Sequence, residues 1–550
     1  MDSTNLVPDT SSDPIAFPRL TAEDLALLKP LATPCTYEDG QTVFSAGSAD
    51  LDLFVVESGA IEILNPSNEN RHVVTHGPGQ FAGDIDLLTR RPVIVSGIAR
   101  GHTRLLRVPG GRLREVLNKL PHLGETMLIA AQERRRLLTQ TGVVGLKVVG
   151  PGKCRDTTLV REFLFKNFVP FTWYDSASKD GEKLLTGWGS PQRSPVIEFG
   201  DGRRLINPEL RALAREAGVW RDCPTEPMDL AIIGAGPAGL AAAVYAASEG
   251  VSTFVLDRLG PGGQAGSSSK IENFIGFPSG LSGSELATRS VLQMLKFGAK
   301  MAAPVAVERI EPKATADDFH VLHLDCGTLL RARIVLVAAG INWRKLDAEG
   351  GERFESAGVH YACTAVESVL YDSQDVAVVG AGNSAGQAAM FLAECCRTRT
   401  VHLLVRSRLG PSMSDYLVGR IRATSNISVH EGEEIASLHG ERRLESVVLR
   451  RSGRLPISAV FVFIGAEPGC SWLPDTVARD KLGYILTGID ALQSGRWPLS
   501  DREPCPLETT VPGILAAGDI RAGSTKRVGF AVGDGSLAVT CVHKLTAIRQ

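Results

Sequence analysis

Apolar and polar positions alternate in short runs over the first quarter of the chain, as in "LDLFVVESGAIEIL" from Leu51, and Gly40, Gly47, Gly59 and Gly79 punctuate them. A period of two broken by turn residues at that spacing predicts a small antiparallel barrel or jelly roll. A charged helical tail, "ETMLIAAQERRRLLTQ", closes this region, 1–142. Residues 143–222 predict a β-α-β-β-β-α unit running from "GLKVVG" through "TTLVREFLFKNF", "PFTWYD", "SPVIEFG" and "RRLI" to "NPELRALAREAG". "RDCPTEPM" reads as a linker. From Met228 strands and helices alternate, and two glycine-rich turns begin at Gly234 and Gly380. A repeated turn of this kind in one α/β chain predicts two dinucleotide-binding subdomains.

A chain of 550 residues is too long for one core, and 43% hydrophobic, 22% charged residues with net charge −2 describe an ordinary globular protein. That balance gives no reason to expect nucleic acid or an acidic membrane as partner. The window "AIIGAGPAGLAAAVYAA" is apolar enough to mimic a membrane span, but its glycine-rich phosphate-loop pattern predicts a buried strand, turn and helix. The start, "MDSTNLVPDTSSDP", lacks the basic-then-apolar order of a secretory signal, so a cytoplasmic location is expected. Ten cysteines are scattered with no two three apart, so neither a C-x-x-C nor a zinc pattern is present and no metal is expected.

The first turn lies in "MDLAIIGAGPAGLAAAVYAASEGVSTFVLDR". Gly234 permits the tight bend, and Gly236, Pro237 and Ala238 open the helix. Gly236 lets the backbone approach a pyrophosphate, and Gly239 lets helix and strand pack closely. The helix N-terminus then offers N–H groups and a partial positive charge to the anion. Asp257 ends the second strand, where a carboxylate bonds an adenosine ribose.

Two further segments carry a resemblance. "GGQAGSSSKIENFIGFPSGLSGSEL" and "GILAAGDIRAGSTKRVGFAVGDGSLAV" resemble the second and the C-terminal flavin segments of bacterial thioredoxin reductases, class II pyridine nucleotide-disulfide oxidoreductases, over residues 228–550. The resemblance implies FAD contacts from Gly262, Gly263, Gln264, Asn273, Gly340, Gly518 and Asp519, with Lys526, Arg527 and Val528 lining the isoalloxazine. A helix dipole and Arg527 would favour the anionic reduced flavin. It also implies a homodimer.

The second turn, "DVAVVGAGNSAGQAAMFLAECCRTRTVHLLVRSR", repeats the logic with Gly380 and Gly382, and Asn383, Ser384 and Ala385 resemble the same family's nicotinamide pattern. The following strand ends without an acid and continues to Arg406, which favours the 2′-phosphate of NADPH over NADH.

Upstream, "GVHYACTAVES" aligns Cys363 with the first cysteine of the family's C-x-x-C-D, but the second position is Val366 and the acid is Glu367. Thiol–disulfide exchange on the family's route needs both sulfurs. Cys363 is then either a residual small side chain or a mixed-disulfide or sulfenate site.

The middle region resembles a glutaredoxin or thioredoxin fold. Cys154 stands alone at a helix N-terminus, where the dipole favours the thiolate and Asp156 opposes it, and Ser194-Pro195 takes the place of the cis-proline turn. The N-terminal region resembles a cyclic-nucleotide-binding jelly roll. Asp84 replaces its ribose-binding glutamate and Val93 its phosphate-binding arginine, which leaves a degenerate nucleotide site and a regulatory or docking module.

The expected architecture is multidomain: a β jelly roll (1–142), an α/β thioredoxin-like domain (143–222), and two three-layer α/β Rossmann-type subdomains, one for FAD (228–345 and 456–550) and one for NADP (346–455). The expected activity is FAD-dependent oxidation of NADPH without the disulfide relay. The acceptor is a quinone, a redox protein or a disulfide. Two alternatives stay open: a thioredoxin-disulfide reductase using Cys363 or Cys154, and a flavin- or nucleotide-sensing regulator with little turnover.

Overall fold

In the N-terminal region two long strands, Leu53–Asn65 and Ser96–Val108, pair antiparallel along most of their length. Thr33–Tyr37 flanks the second and Arg71–His76 the first. Ile61 and Ile63 are buried between less buried neighbours, as the alternation requires, whereas Leu53–Val56 are buried at every position. The helix Pro121–Thr141 follows. From it Arg134 donates to the carbonyls of Ala16 and Gly83, each at 2.6 Å, and lies over the Phe81 ring. The computed structural model describes residues 13–547 apart from 49–50, 67–69, 84–85, 90, 142–144, 153, 190–193, 269–270, 272–273, 316, 356, 362, 364–369 and 442.

The middle region departs from the expected order. Between Phe171–Asp175 and Val196–Glu198 stands a helix, Lys179–Trp188, so the order is β-α-β-α-β-β-α. Ser178 caps it by accepting from the Gly181 amide at 3.1 Å, and Gly189 ends it in the left-handed region at φ 61°. Both signals stand in "SASKDGEKLLTGWG", but the glycines inside the stretch mask its apolar period. The four-stranded sheet runs Arg204–Ile206, Val196–Glu198, Leu146–Gly150, Phe171–Asp175, with the last two parallel. The Ser194–Pro195 peptide is trans, the default for an X-Pro bond. Pro195 instead joins the sheet edge, its carbonyl accepting from the Asn207 amide at 2.8 Å.

Two mainly parallel sheets form most of the remainder, with a three-stranded antiparallel sheet of Ile435–His439, Ser446–Leu449 and Gly453–Leu455. The first orders Lys300–Ala302, Thr253–Leu256, Met228–Ile233 and Leu329–Val337, with Ile514–Ala516 pairing parallel to the last and an antiparallel wing of His320–Leu324 and Val307–Glu311. The second orders Val359–His360, Ala459–Val462, Val376–Val379, Val401–Val405 and Ile427–Glu431, all parallel. The central strands Thr253–Leu256, Val376–Val379 and Ala459–Val462 are nearly continuous apolar runs because both faces are covered. Ala459–Val462 lies beyond the expected boundary at 456, yet its parallel pairing with Val376–Val379 places it in the second sheet. A two-stranded ribbon, Ile341–Trp343 with Ala466–Pro468, joins the two sheets. No helix of the described residues is long and apolar enough to cross a membrane.

Candidate functional site

Three glycine segments converge at the carboxyl ends of the first parallel sheet. Gly234 has φ +107°, and a Cβ there would lie 3.0 Å from Ala339 Cα and closer still to the Ala338 carbonyl. A Cβ on Gly239 would run into the Gly234 carbonyl oxygen. Gly236 and Gly263 face each other so closely that a Cβ on Gly263 would sit 2.9 Å from Gly236 Cα. From the C-terminal segment Gly518, at φ +77°, meets Ala238 in the same way at 3.0 Å. The helix Pro237–Ser248 starts in this cleft, and no side chain among the described residues caps it. Its first N–H groups are thus left for an anion. Side-chain-free walls and uncapped donors fit the pyrophosphate of a dinucleotide.

Asp257 does more here than its position in the sequence suggests. Its carboxylate accepts from Ala235 N–H at 2.8 Å, Leu259 N–H at 2.9 Å and Gly260 N–H at 2.8 Å, tying the first turn to the second flavin segment. One acceptor position remains for a ribose hydroxyl. Gln264 donates to the Ile341 carbonyl at 2.5 Å, and Gly340, at φ +66°, has open space beside it. Gly262 donates to the Ala235 carbonyl at 2.8 Å. Asn273 lies outside the described residues.

Lys526 donates to the Asp519 backbone carbonyl and to Ser524 Oγ, and its ammonium stands 4.2 Å from the Tyr484 ring centroid. Burial holds the Asp519 carboxyl above its usual range, against the Lys526 charge. Arg527 is exposed and Val528 half-buried at the start of the last helix, Val528–Ala547. Asp534, two turns along that helix, accepts from Gly518 N–H at 3.0 Å and from Arg521 at 3.2 Å. Sequence reasoning missed this clasp, because no local pattern links residues 518, 521 and 534.

The second cleft follows the same plan. Gly380, at φ +145°, packs under Ala385, where a Cβ would come within 3.0 Å, and Gly382 precedes the helix Asn383–Cys395. Gly386 lies against Met413 and Leu417, so Ala385 and Gly386 both serve close packing. Asn383 accepts from Ser414 N–H at 2.8 Å, while Ser384 is exposed beside it. Arg406 extends into solvent with 85% of its side chain exposed, 3.9 Å from Glu434. That glutamate, brought in after the neighbouring strand, was not legible beside the arginine in the sequence.

The candidate sulfurs are spread apart. Cys363 is half-buried against the core of the second parallel sheet. Val366 and Glu367 lie outside the described residues. Cys154 is the N-cap of the helix Arg155–Lys166. The opposite end of that helix docks on the first cleft. Lys166 donates to the Gly263 carbonyl at 3.1 Å, and Asn167, 3% exposed, donates to the Leu259 carbonyl at 2.8 Å while its side chain abuts Gly260. Twelve helical residues span about 18 Å, so Cys154 stands at the far end from the contact. Arg91 of the N-terminal region donates in turn to the Asn167 carbonyl, and Arg221 donates to the Thr89 carbonyl. Val93, at the expected phosphate-arginine position, is buried in the jelly-roll core. Asp84 lies outside the described residues.

Two dinucleotide clefts on two parallel sheets joined by a ribbon define the class of FAD- and nicotinamide-using oxidoreductases. The model of the pyridine nucleotide-disulphide oxidoreductase family matches residues 228–535, over half of the chain, and the chain belongs to that family. The thioredoxin-reductase-like members of this family use FAD and NADPH. Residues 34–119 match the cyclic nucleotide-binding domain. An alkyl hydroperoxide reductase subunit from Staphylococcus aureus is 31% identical over 347 residues, 62% of this chain and 63% of that protein. The chain thus matches less than two thirds of that relative's length. A 34.2 kDa protein in the rubredoxin operon of Clostridium pasteurianum is 30% identical over 322 residues, 58% of this chain and 96% of that one. The thioredoxin reductase of Lactococcus lactis superposes with a TM-score of 0.50 at 26% identity, over 58% of this chain and 99% of that one.

Proposed function

We propose that the protein is an NADPH-dependent FAD oxidoreductase that hands electrons from flavin directly to a redox-protein acceptor, without an internal disulfide relay. The observation that carries this reading is the pairing of two intact glycine clefts with a valine at position 366, where the relay's second sulfur would stand. FAD, when bound, takes a hydride from NADPH and releases electrons one or two at a time. The chain's part is placement. Gly234, Gly236, Gly239, Gly263 and Gly518 keep the first cleft free of side chains, and Asp257 fixes the geometry of its two loops. Arg406 offers a guanidinium to a 2′-phosphate.

The names of two relatives, a component of a hydroperoxide reductase and a protein of a rubredoxin operon, support a protein acceptor. The direction of the Arg155–Lys166 helix supports leaving Cys154 off the electron path. Burial of Val93 supports a docking role for the N-terminal region over cyclic nucleotide binding.

Anaerobic titration of the FAD-loaded protein with NADPH tests the reading. Bleaching is expected in wild type, Cys363→Ser and Cys154→Ser alike, with little turnover of thioredoxin-type disulfides. Robust disulfide turnover that vanishes in either variant would replace this reading with that of a disulfide reductase.

A further inference from the structure

Away from both clefts, two thiols meet beside an open cavity of about 520 Å³ on the surface of the flavin-side subdomain. Cys505 lines the cavity with Arg502, Pro506 and Lys544. Cys541, 1% exposed on the last helix, lies behind it, and the two thiols adjoin within one apolar cluster. The loop that carries Cys505 is held firmly. Glu508 is fully buried and accepts from Arg502 at 2.7 and 2.9 Å, from Cys505 N–H at 2.9 Å and from Gly513 N–H at 2.8 Å. Four donors on one carboxylate blunt its repulsion of a neighbouring thiolate.

We propose that Cys505 and Cys541 form a redox-active dithiol site that reacts with low-molecular-weight disulfides entering this cavity. The Cys505 thiolate attacks one sulfur of the small disulfide, forming a mixed disulfide and expelling one thiolate. The Cys541 sulfur then attacks Cys505 Sγ, its proton passes to solvent or to the departing thiolate, and the second small thiol leaves. Two protein thiols are oxidised to one disulfide and one small disulfide is reduced to two thiols, so no further reactant is needed. This site is separate from the flavin path and does not rest on the proposed function.

The electrostatics agree. The adjoining Cys541 thiol lowers the Cys505 pKa to about 7, with Arg502 and Lys544 assisting and burial and Glu508 opposing, while Cys541 is pushed up. A lowered pKa gives Cys505 more thiolate near neutral pH than an ordinary cysteine. The pair Cys223 and Cys326 supplies a built-in contrast. Those thiols also adjoin, but burial pushes Cys223 up to about 12.

The test exposes the full-length protein to glutathione disulfide at pH 7 and maps cysteines by peptide mass spectrometry. Wild type should yield a Cys505–Cys541 crosslink, formed faster than any product at Cys223 or Cys326. Cys541→Ala and Cys541→Ser should each trap glutathione on Cys505, and Cys505→Ser should show neither product. The rate of Cys505 alkylation by iodoacetamide should reach half its maximum near pH 7. A stable glutathione adduct on Cys505 in wild type, a crosslink between other cysteines only, or a half-maximum above pH 8 would each overturn the proposal.

Discussion

Asn167→Ala should release the loop that closes the first cleft. The native side chain donates to the Phe163 carbonyl at 2.9 Å and to the Leu259 carbonyl at 2.8 Å, at 3% exposure. Phe163 keeps a partner, because its carbonyl also accepts from the Asn167 backbone at 3.0 Å. The loss is therefore mainly at Leu259, where a net hydrogen bond of about 1 kcal/mol and a similar penalty for the stranded carbonyl sum to about 2 kcal/mol. That corresponds to about a thirtyfold rise in local opening. Hydrogen–deuterium exchange on peptides spanning residues 257–263 reads it directly. The amides of Leu259 and Gly260, bonded to Asp257, should exchange about thirtyfold faster, while the strand Met228–Ile233 keeps its protection. Unchanged exchange at 257–263 would show that the middle region does not brace the loop. A uniform rise across the chain would reduce the effect to general destabilisation.

Two further outcomes follow from single residues. If Arg406 holds the 2′-phosphate as proposed, Arg406→Ala should raise KM for NADPH about tenfold and that for NADH less than twofold in steady-state assays; equal changes would assign it to the pyrophosphate or the fold. His76 is buried against Phe17, and burial, then the Arg134 charge, hold its pKa well below the usual 6.5. The folded state thus binds fewer protons than the unfolded one, and the stability this confers is complete above pH 6.5 and lost as pH falls below it. Exchange protection of strand Leu53–Asn65 should therefore drop between pH 7 and 5 in wild type and change less in His76→Gln; parallel losses in both proteins would refute this.

Both glycine turns and the parallel strands before them were legible in the sequence because they are local: a run of apolar residues, a bend only glycine can make, and a helix. The jelly roll was legible through its period of two. The helix Lys179–Trp188 was legible in principle through Ser178 and Gly189 but was hidden by its own internal glycines. The rest depends on chain segments that meet only on folding. Asn167 reads as one more polar residue after a helix until Leu259 and Gly260 are beside it. The meeting of Cys505 with Cys541, the clasp of Asp534 on Gly518 and the approach of Glu434 to Arg406 likewise join residues whose spacing carries no pattern.

The pairing of Leu329–Val337 with Ile514–Ala516 bears on how the chain matures during synthesis. The first strand leaves the ribosome about 180 residues ahead of its partner, which at 5–20 residues per second is a wait of about 10–35 s. Throughout that interval the end of the strand, Val335–Val337, has no neighbour on that side, where Leu329–Ala332 already pair with the antiparallel wing, and an unpaired apolar strand end invites association with other chains. The second parallel sheet, whose strands run from Val359 to Val462, emerges and can close within the gap. The inner unit thus completes before the outer one that encloses it in sequence. The flavin-side subdomain is finished only when the last helix arrives to seat Gly535 against the backbone of Ala238.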